Sequence, residues 1–145
     1  MARYLVVAHQ TAESPEIIEK VQALAREDDA AEFAILVPAT PVQHLLTWVE
    51  GEADAVAQDK ANAAKLRFET EAQAKVSRAT VGDASPILGI EDELREHPGY
   101  YDTLVICTLP PGVSRWLGLD LPHQAKRFGL PVIHVIAKPS SVAAR

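Results

Sequence analysis

A short apolar run that ends in a proline-rich loop constrains the fold of this chain more than any other feature. Residues 102–108, Asp-Thr-Leu-Val-Ile-Cys-Thr, are mostly apolar and β-branched, which is typical of a strand buried on both faces. The loop at 109–113 contains two prolines and a glycine and cannot prolong a central strand, whereas Ser114 is able to cap a helix. Open parallel sheets bind their ligands at the point where a core strand ends in a loop that leads to a helix.

The rest of the chain alternates strand patterns with helix patterns. Apolar or alternating runs predict further strands at 3–9, 32–38, 75–82 and 130–137, and helical periodicity predicts helices at 14–27, 51–75, 85–96 and from about 120 to 128. Such alternation requires right-handed crossovers, a parallel sheet and helices on both of its faces. We therefore expect an α/β fold, a three-layer α/β/α arrangement around a doubly wound, five-stranded parallel sheet, with one domain at 1–138 and a flexible tail at 139–145.

Charge and cysteine content narrow the class of partner. The formal net charge is −6, and nucleic acids and anionic membranes both favour clustered Lys and Arg, so small molecules and proteins remain. The single cysteine, Cys107, cannot form an internal disulfide, and it falls in the predicted central strand. With no stretch of signal-peptide or membrane-spanning character, a cytoplasmic location is expected.

Polar residues follow the first strand and should face the loop after residue 108. His9, Gln10 and Thr11 come where that strand ends, and a neutral imidazole and an amide can recognise a base or a sugar edge. The alternative is that these side chains only line an empty crevice.

The loop itself offers a candidate anion site. Gly112, Ser114 and Arg115 could bring backbone N–H groups and a guanidinium to one small anionic ligand. The alternative is that Ser114 only caps a helix and that Arg115 is solvated or ion-paired.

Other strand ends supply further candidates for the rim of the crevice. They are Thr40 after the second strand, Gly82 and Asp83 after the third, and Thr108 at the end of the fourth. For Asp83, a role in starting the next helix, together with Ser85, is the favoured interpretation.

Catalytic machinery is not visible in the sequence. The histidines are scattered without metal-ligand spacing, so no metal site is predicted, and Cys107 is expected to be a buried structural thiol. Nucleophile-elbow, Walker and dinucleotide-fingerprint motifs do not occur, so a binding protein is expected rather than an enzyme, with slow nucleotide hydrolysis left open. We expect Trp116 to belong to the core, and the role of Trp48 stays open.

Four segments, taken in order, resemble a universal stress protein domain. They are Leu5-Val6-Val7-Ala8-His9, Val81-Gly82-Asp83-Ala84-Ser85-Pro86-Ile87, the strand at 101–108, and Leu130-Pro131-Val132-Ile133-His134-Val135. The resemblance implies a sheet of order 3-2-1-4-5, of the adenine nucleotide alpha hydrolase type, and a homodimer formed through the fifth strand at Ile133, His134 and Val135. It also implies a role in stress responses and makes ATP or AMP the candidate ligand.

The chain departs from the nucleotide-binding members of that family at two places. Those members end the first strand with an aspartate, where this chain has His9. They also carry a glycine-rich loop, G-x2-G-x9-G followed by Ser or Thr, whereas here the spacing of Gly112 and Gly118 does not fit and Leu119 replaces the hydroxyl residue. Two hypotheses follow: a protein that binds a small ligand, with a nucleotide held in a non-standard way, and a regulatory or scaffolding module that acts through its dimer surface.

Overall fold

The computed structural model describes residues 2–39 and 52–138. Its elements, in chain order, are β1 (Arg3–Val7), α1 (Pro15–Glu27), β2 (Glu32–Pro38), α2 (Glu52–Thr70), β3 (Lys75–Gly82), α3 (Pro86–Glu96), β4 (Thr103–Thr108), α4 (Arg115–Gly118), α5 (Leu121–Gln124), a 3-10 turn (Ala125–Phe128) and β5 (Val132–Ile136). The strands form a sheet of order β3-β2-β1-β4-β5, and each neighbouring pair is parallel. The predicted fold class and strand order are confirmed.

The central strands β1 and β4 are buried on both faces of the sheet. Val6 of β1 lies beside Val105 of β4 and faces one layer of core, whereas Leu5 and Leu104 face the other. Two-sided burial explains why both sequences are almost continuous apolar runs. The edge strand β3 instead alternates exposed and half-buried residues in its first half, as its sequence predicts.

The helices α1 and α2 cover one face of the sheet. The side chain of Ser14 caps α1 by accepting a hydrogen bond from the backbone N–H of Ile17 at 3.3 Å. Along α2, small alanine side chains at 57, 61 and 64 are fully buried together with Phe68. Because alanine projects little beyond the backbone, this long helix lies close against the strands.

The opposite face is covered by α3 and by a helical segment that differs from the prediction. The sequence predicts one helix from about 120 to 128, but the structure divides the region into α4, α5 and a 3-10 turn. Asp120 has a φ of 57°, in the left-handed region, which a right-handed helix cannot pass through. Leu121 and Ala125 nevertheless reach the core of this face, with Trp116 packed half-buried against them.

Several element limits are also shorter than predicted. β1 ends at Val7, so His9 lies in a loop rather than in a strand. α2 ends at Thr70, because Gln73, with a φ of 53°, turns the chain into β3. Thr40, the segment around Trp48, and the predicted tail at 139–145 lie outside the described residues. None of the helices within the described ranges is long and apolar enough to cross a membrane.

Candidate functional site

The candidate site lies where the direction of winding changes, between the carboxyl ends of β1 and β4. After β1 the chain passes to α1 on one face of the sheet, and after β4 it passes to α4 and α5 on the other face. In sheets wound this way the two loops diverge, and the usual ligand position is the crevice outside these strand ends.

His9 lies in the loop after β1 with part of its ring buried. Its Nε2 atom is buried and has no hydrogen-bond partner among the described residues. Burial, with a smaller contribution from the Lys60 ammonium of α2, lowers the pKa of His9 to about 4. The ring is thus neutral near pH 7, with one nitrogen that donates and one that accepts a hydrogen bond.

Lys60 is a residue that the sequence analysis missed. It immediately precedes Ala61 of the alanine stripe of α2 and is half-buried. Helical periodicity places Lys60 next to the buried Ala61, but it does not indicate which loop the Lys60 side chain approaches. Its proximity to His9 depends on how α2 is laid across the sheet.

Thr11 holds the two halves of the site together. Its side chain is 3% exposed, and its hydroxyl donates a hydrogen bond to the backbone carbonyl of Cys107 in β4 at 3.0 Å. Ser14 Oγ lies 4.0 Å from the Cys107 thiol. Burial raises the pKa of that thiol, as expected for a structural cysteine. Gln10, in contrast, is exposed.

The loop after β4 forms a closed turn. Gly112 has a φ of 90°, and the N–H of Val113 donates to the carbonyl of Pro110 at 3.2 Å. Proline at the second position and a glycine of positive φ at the third give the pattern of a type II turn. The N–H of Ser114 donates to the same Pro110 oxygen at 3.0 Å.

Ser114 then begins α4 as its N-cap residue. Its hydroxyl accepts a hydrogen bond from the N–H of Leu117 at 3.2 Å, so the predicted capping role is confirmed. The side chain of Arg115 is exposed. Ser114 is thus engaged with the backbone of α4, and Arg115 is the first residue of that helix.

Thr108, at the end of β4, is directed towards β5 rather than towards β1. Its hydroxyl lies 2.8 Å from Nε2 of His134, and Thr108 itself is 2% exposed. Ile133 and Val135, on alternate positions of the same strand, pack partly buried against the core. His134 is the exposed member of the three residues predicted for a dimer contact.

Gly82 and Asp83 lie away from this crevice. β3 is two strands from β1, roughly 10 Å at the usual strand spacing. Asp83 is exposed, and its Oδ1 atom accepts a hydrogen bond from the N–H of Ser85 at 2.8 Å, so the favoured helix-start role is the one seen. The site therefore brings together the ends of β1 and β4, and Gly82 and Asp83 are remote from it.

A second cluster of titratable side chains lies at the other end of the sheet. Ligand-type atoms of Glu93, Glu96 and His97 lie within 4.8 Å of one another. The buried Glu93 carboxylate, however, already accepts a hydrogen bond from the Tyr101 hydroxyl at 2.6 Å and lies 3.2 Å from Nε of Arg78. A guanidinium at that distance repels a cation, so the cluster is suited to joining α3 to β3 and β4 and not to holding a metal ion.

Comparison with known proteins supports the fold. No family model matches the chain, and no curated protein matches it. Among solved structures, a crystal structure of a universal stress protein in complex with cAMP matches with a TM-score of 0.58 and 16% identity, over 92% of this chain and 96% of that one. At this identity the likeness establishes the α/β architecture.

Proposed function

We propose that this protein binds a small ligand of the nucleotide class in the crevice between the carboxyl ends of β1 and β4. The observation that carries the proposal is the buried, unpartnered Nε2 of a neutral His9 at this position. A buried polar atom without a hydrogen bond is costly, by about 1–3 kcal/mol, and a ligand hydroxyl or amino group would remove that cost. The related fold that holds cAMP supports a nucleotide as the class of ligand.

The residues around the crevice have distinct roles in this proposal. His9 recognises an uncharged edge of the ligand, a ribose hydroxyl or a base nitrogen. Gln10 is exposed beside it and adds an amide donor and acceptor. Arg115 carries the positive charge that an anionic group requires. Thr11 keeps the two strand ends at a fixed distance through its bond to Cys107.

Calorimetric titration with adenosine, AMP, cAMP and ATP tests the proposal, together with native mass spectrometry of the freshly purified protein. His9→Ala should weaken binding about five- to tenfold, which corresponds to one lost hydrogen bond. His123→Ala is the matched control, because His123 is an exposed histidine of α5. Absence of binding by every probe, with no co-purified ligand, would contradict the proposal.

A second candidate function is self-association through β5 as a regulatory or scaffolding module. β5 is the last strand of the described sheet, and Ile136 on it is 47% exposed. An edge strand with an exposed apolar residue is suited to pairing with another copy of the chain. By the resemblance to universal stress proteins, a homodimer and a role in stress responses belong to both candidate functions. One domain at 1–138 and a cytoplasmic location are proposed with them from the sequence pattern.

The structure selects the substitution that tests this association. Ile133 and Val135 pack against the core, so a charge at either would disturb folding itself. Ile136→Glu should instead separate a dimer without unfolding the protein. Leu66→Glu, on α2 and 61% exposed, is the matched control. Light scattering over a concentration series measures the oligomeric state of the wild type and both variants. A wild-type protein that stays monomeric at high concentration would contradict the dimer.

A further inference from the structure

We infer that Lys60 of α2 binds the anionic group of the ligand and makes the site selective for nucleotides over uncharged nucleosides. The inference rests on the proposed function, because it concerns the same crevice. It follows from how α2 is docked against the loop that carries His9, and from the charge that this docking brings to the site.

The side chain of Arg67 attaches α2 to the loop between β1 and α1. Its Nη1 atom donates a hydrogen bond to the backbone carbonyl of Glu13 at 2.8 Å. Ala61 of α2 belongs to the same buried cluster as Ala8 and Ala12 of this loop. The loop and the middle of α2 therefore pack into one core, and the position of one relative to the other is fixed.

Lys60 lies on the same side of α2 as Arg67, seven positions earlier. Seven positions are close to two turns of an α-helix and correspond to about 10 Å along its axis. Because α2 leads from the carboxyl end of β2 to the amino end of β3, this displacement brings Lys60 towards the carboxyl ends of the strands. Long helical side chains also lean towards the amino terminus of their helix, which here is the same direction. The ammonium group is therefore directed to the level at which His9 follows β1.

The electrostatic effect of Lys60 on His9 supports this placement. After burial, the Lys60 ammonium is the second cause that lowers the pKa of His9, and such an effect requires the two groups to be close. His9 thus stays neutral, and Lys60 supplies the positive charge. None of the ion pairs within residues 2–39 and 52–138 involves Lys60, which is half-buried. Such an ammonium, without a carboxylate partner in these ranges, attracts an anion.

The two side chains suit the two chemical parts of a nucleotide. The neutral ring of His9 can bond an uncharged hydroxyl or base nitrogen, which adenosine and AMP share. The phosphate of AMP is what adenosine lacks, and a hydrogen bond from an ammonium to a phosphate oxygen is about twice as strong as one between neutral groups. The preference for AMP over adenosine therefore isolates the contribution of Lys60 from that of His9.

Titration of wild type and variants with adenosine and AMP at constant ionic strength tests the inference. We expect the wild type to prefer AMP, and Lys60→Gln should reduce the ratio of the adenosine Kd to the AMP Kd about tenfold, as for one lost charge-assisted hydrogen bond. Lys60→Arg keeps the charge and should retain most of the preference. Lys65→Gln is the matched control, because Lys65 is also half-buried on α2 but lies about 140° around the helix.

The outcomes separate this inference from the proposed function. An unchanged Kd ratio in a folded Lys60→Gln variant that still binds AMP would overturn the inference alone. A wild-type protein that binds neither adenosine nor AMP would overturn the proposed function and the inference together.

NMR titration of the His9 imidazole without ligand gives an independent readout of position. Lys60→Gln should raise the pKa of His9, because the ammonium no longer opposes a second positive charge beside it. Lys65→Gln should leave the pKa of His9 unchanged. Equal His9 pKa values in wild type and Lys60→Gln would place the ammonium too far from the ring to share a ligand with it, and would overturn the inference.

Discussion

The hydroxyl of Thr11 donates a hydrogen bond to the backbone carbonyl of Cys107 at 3.0 Å, across 96 positions of sequence. The bond joins the loop after β1 to the last part of β4, the two elements between which the crevice opens. Both groups are buried, so water cannot replace either partner. The separation of the two strand ends is therefore fixed by the protein and is not left to a ligand.

Removal of this bond should destabilise the protein. Thr11→Val keeps the shape of the side chain but leaves the Cys107 carbonyl without its donor, and we expect a loss of about 1–3 kcal/mol in the free energy of unfolding. Chemical denaturation followed by circular dichroism measures it. Thr70→Val is the control, because Thr70 makes the same kind of bond to the Leu66 carbonyl on an exposed surface. A loss no larger than that of Thr70→Val would refute the role of Thr11.

His9 should make stability depend on pH. Its pKa falls from 6.5 in the unfolded chain to about 4 in the folded one, chiefly through burial. Between these values the unfolded state binds more protons, so stability decreases as pH falls from about 6.5 towards 4. From pH 7 to pH 5 the contribution is about 2 kcal/mol.

The measurement is the free energy of unfolding at pH 7 and pH 5. His9→Gln should reduce the difference between the two pH values by about 2 kcal/mol, whereas His123→Gln, at an exposed position, should leave it unchanged. Equal pH dependence in wild type and His9→Gln would show that the imidazole titrates as it does in an unfolded chain.

Gly82 should not tolerate a side chain. A Cβ there would lie 2.7 Å from Cδ1 of the buried Leu36 and 3.4 Å from Cα of Gly89, where α3 approaches the end of β3. We expect Gly82→Ala to cost about 1–3 kcal/mol, because a full core cannot move aside freely. Gly118→Ala, at a position with open space around the added atom, should change stability by less than about 0.5 kcal/mol. Thermal unfolding of both variants measures the difference in stability. Equal melting temperatures would contradict the close approach of α3 and Leu36 to Gly82.

The buried Glu93 carboxylate should depend on its tyrosine partner. Burial, and then the bond to Glu93, raise the pKa of the Tyr101 hydroxyl, which therefore stays protonated and donates at 2.6 Å. Tyr101→Phe should cost about 1–3 kcal/mol of stability. Tyr100→Phe should cost less, because its hydroxyl donates to Glu32 at a partly buried position. If both variants lose the same free energy of unfolding in urea, the Tyr101 hydroxyl does not stabilise the buried Glu93 carboxylate as proposed.

Much of the fold could be predicted because it depends on local pattern. Runs such as Leu5-Val6-Val7 and Leu104-Val105-Ile106 are β-branched or apolar without alternation, which is typical of a strand buried on both faces. The division of the last helix was not predicted, because Leu121, Ala125 and Phe128 have helical spacing even though Asp120 adopts a left-handed conformation. The spacing of apolar residues indicates which side chains are buried. It does not indicate the backbone angle of Asp120, the residue that precedes them.

The sequence by itself determined the parallel sheet, its layers, the loop after β4 and the position of His9 at the end of β1. These follow from hydrophobic period, turn residues and the handedness of crossovers, which are properties of neighbouring residues. Only the tertiary structure decided that Thr11 bonds to Cys107, that Lys60 approaches His9, and that the donors of Val113 and Ser114 turn inwards to Pro110. Hydrogen bonds and burial depend on distances between segments that are far apart in the chain, or on the closure of a turn, and residue order does not specify those distances.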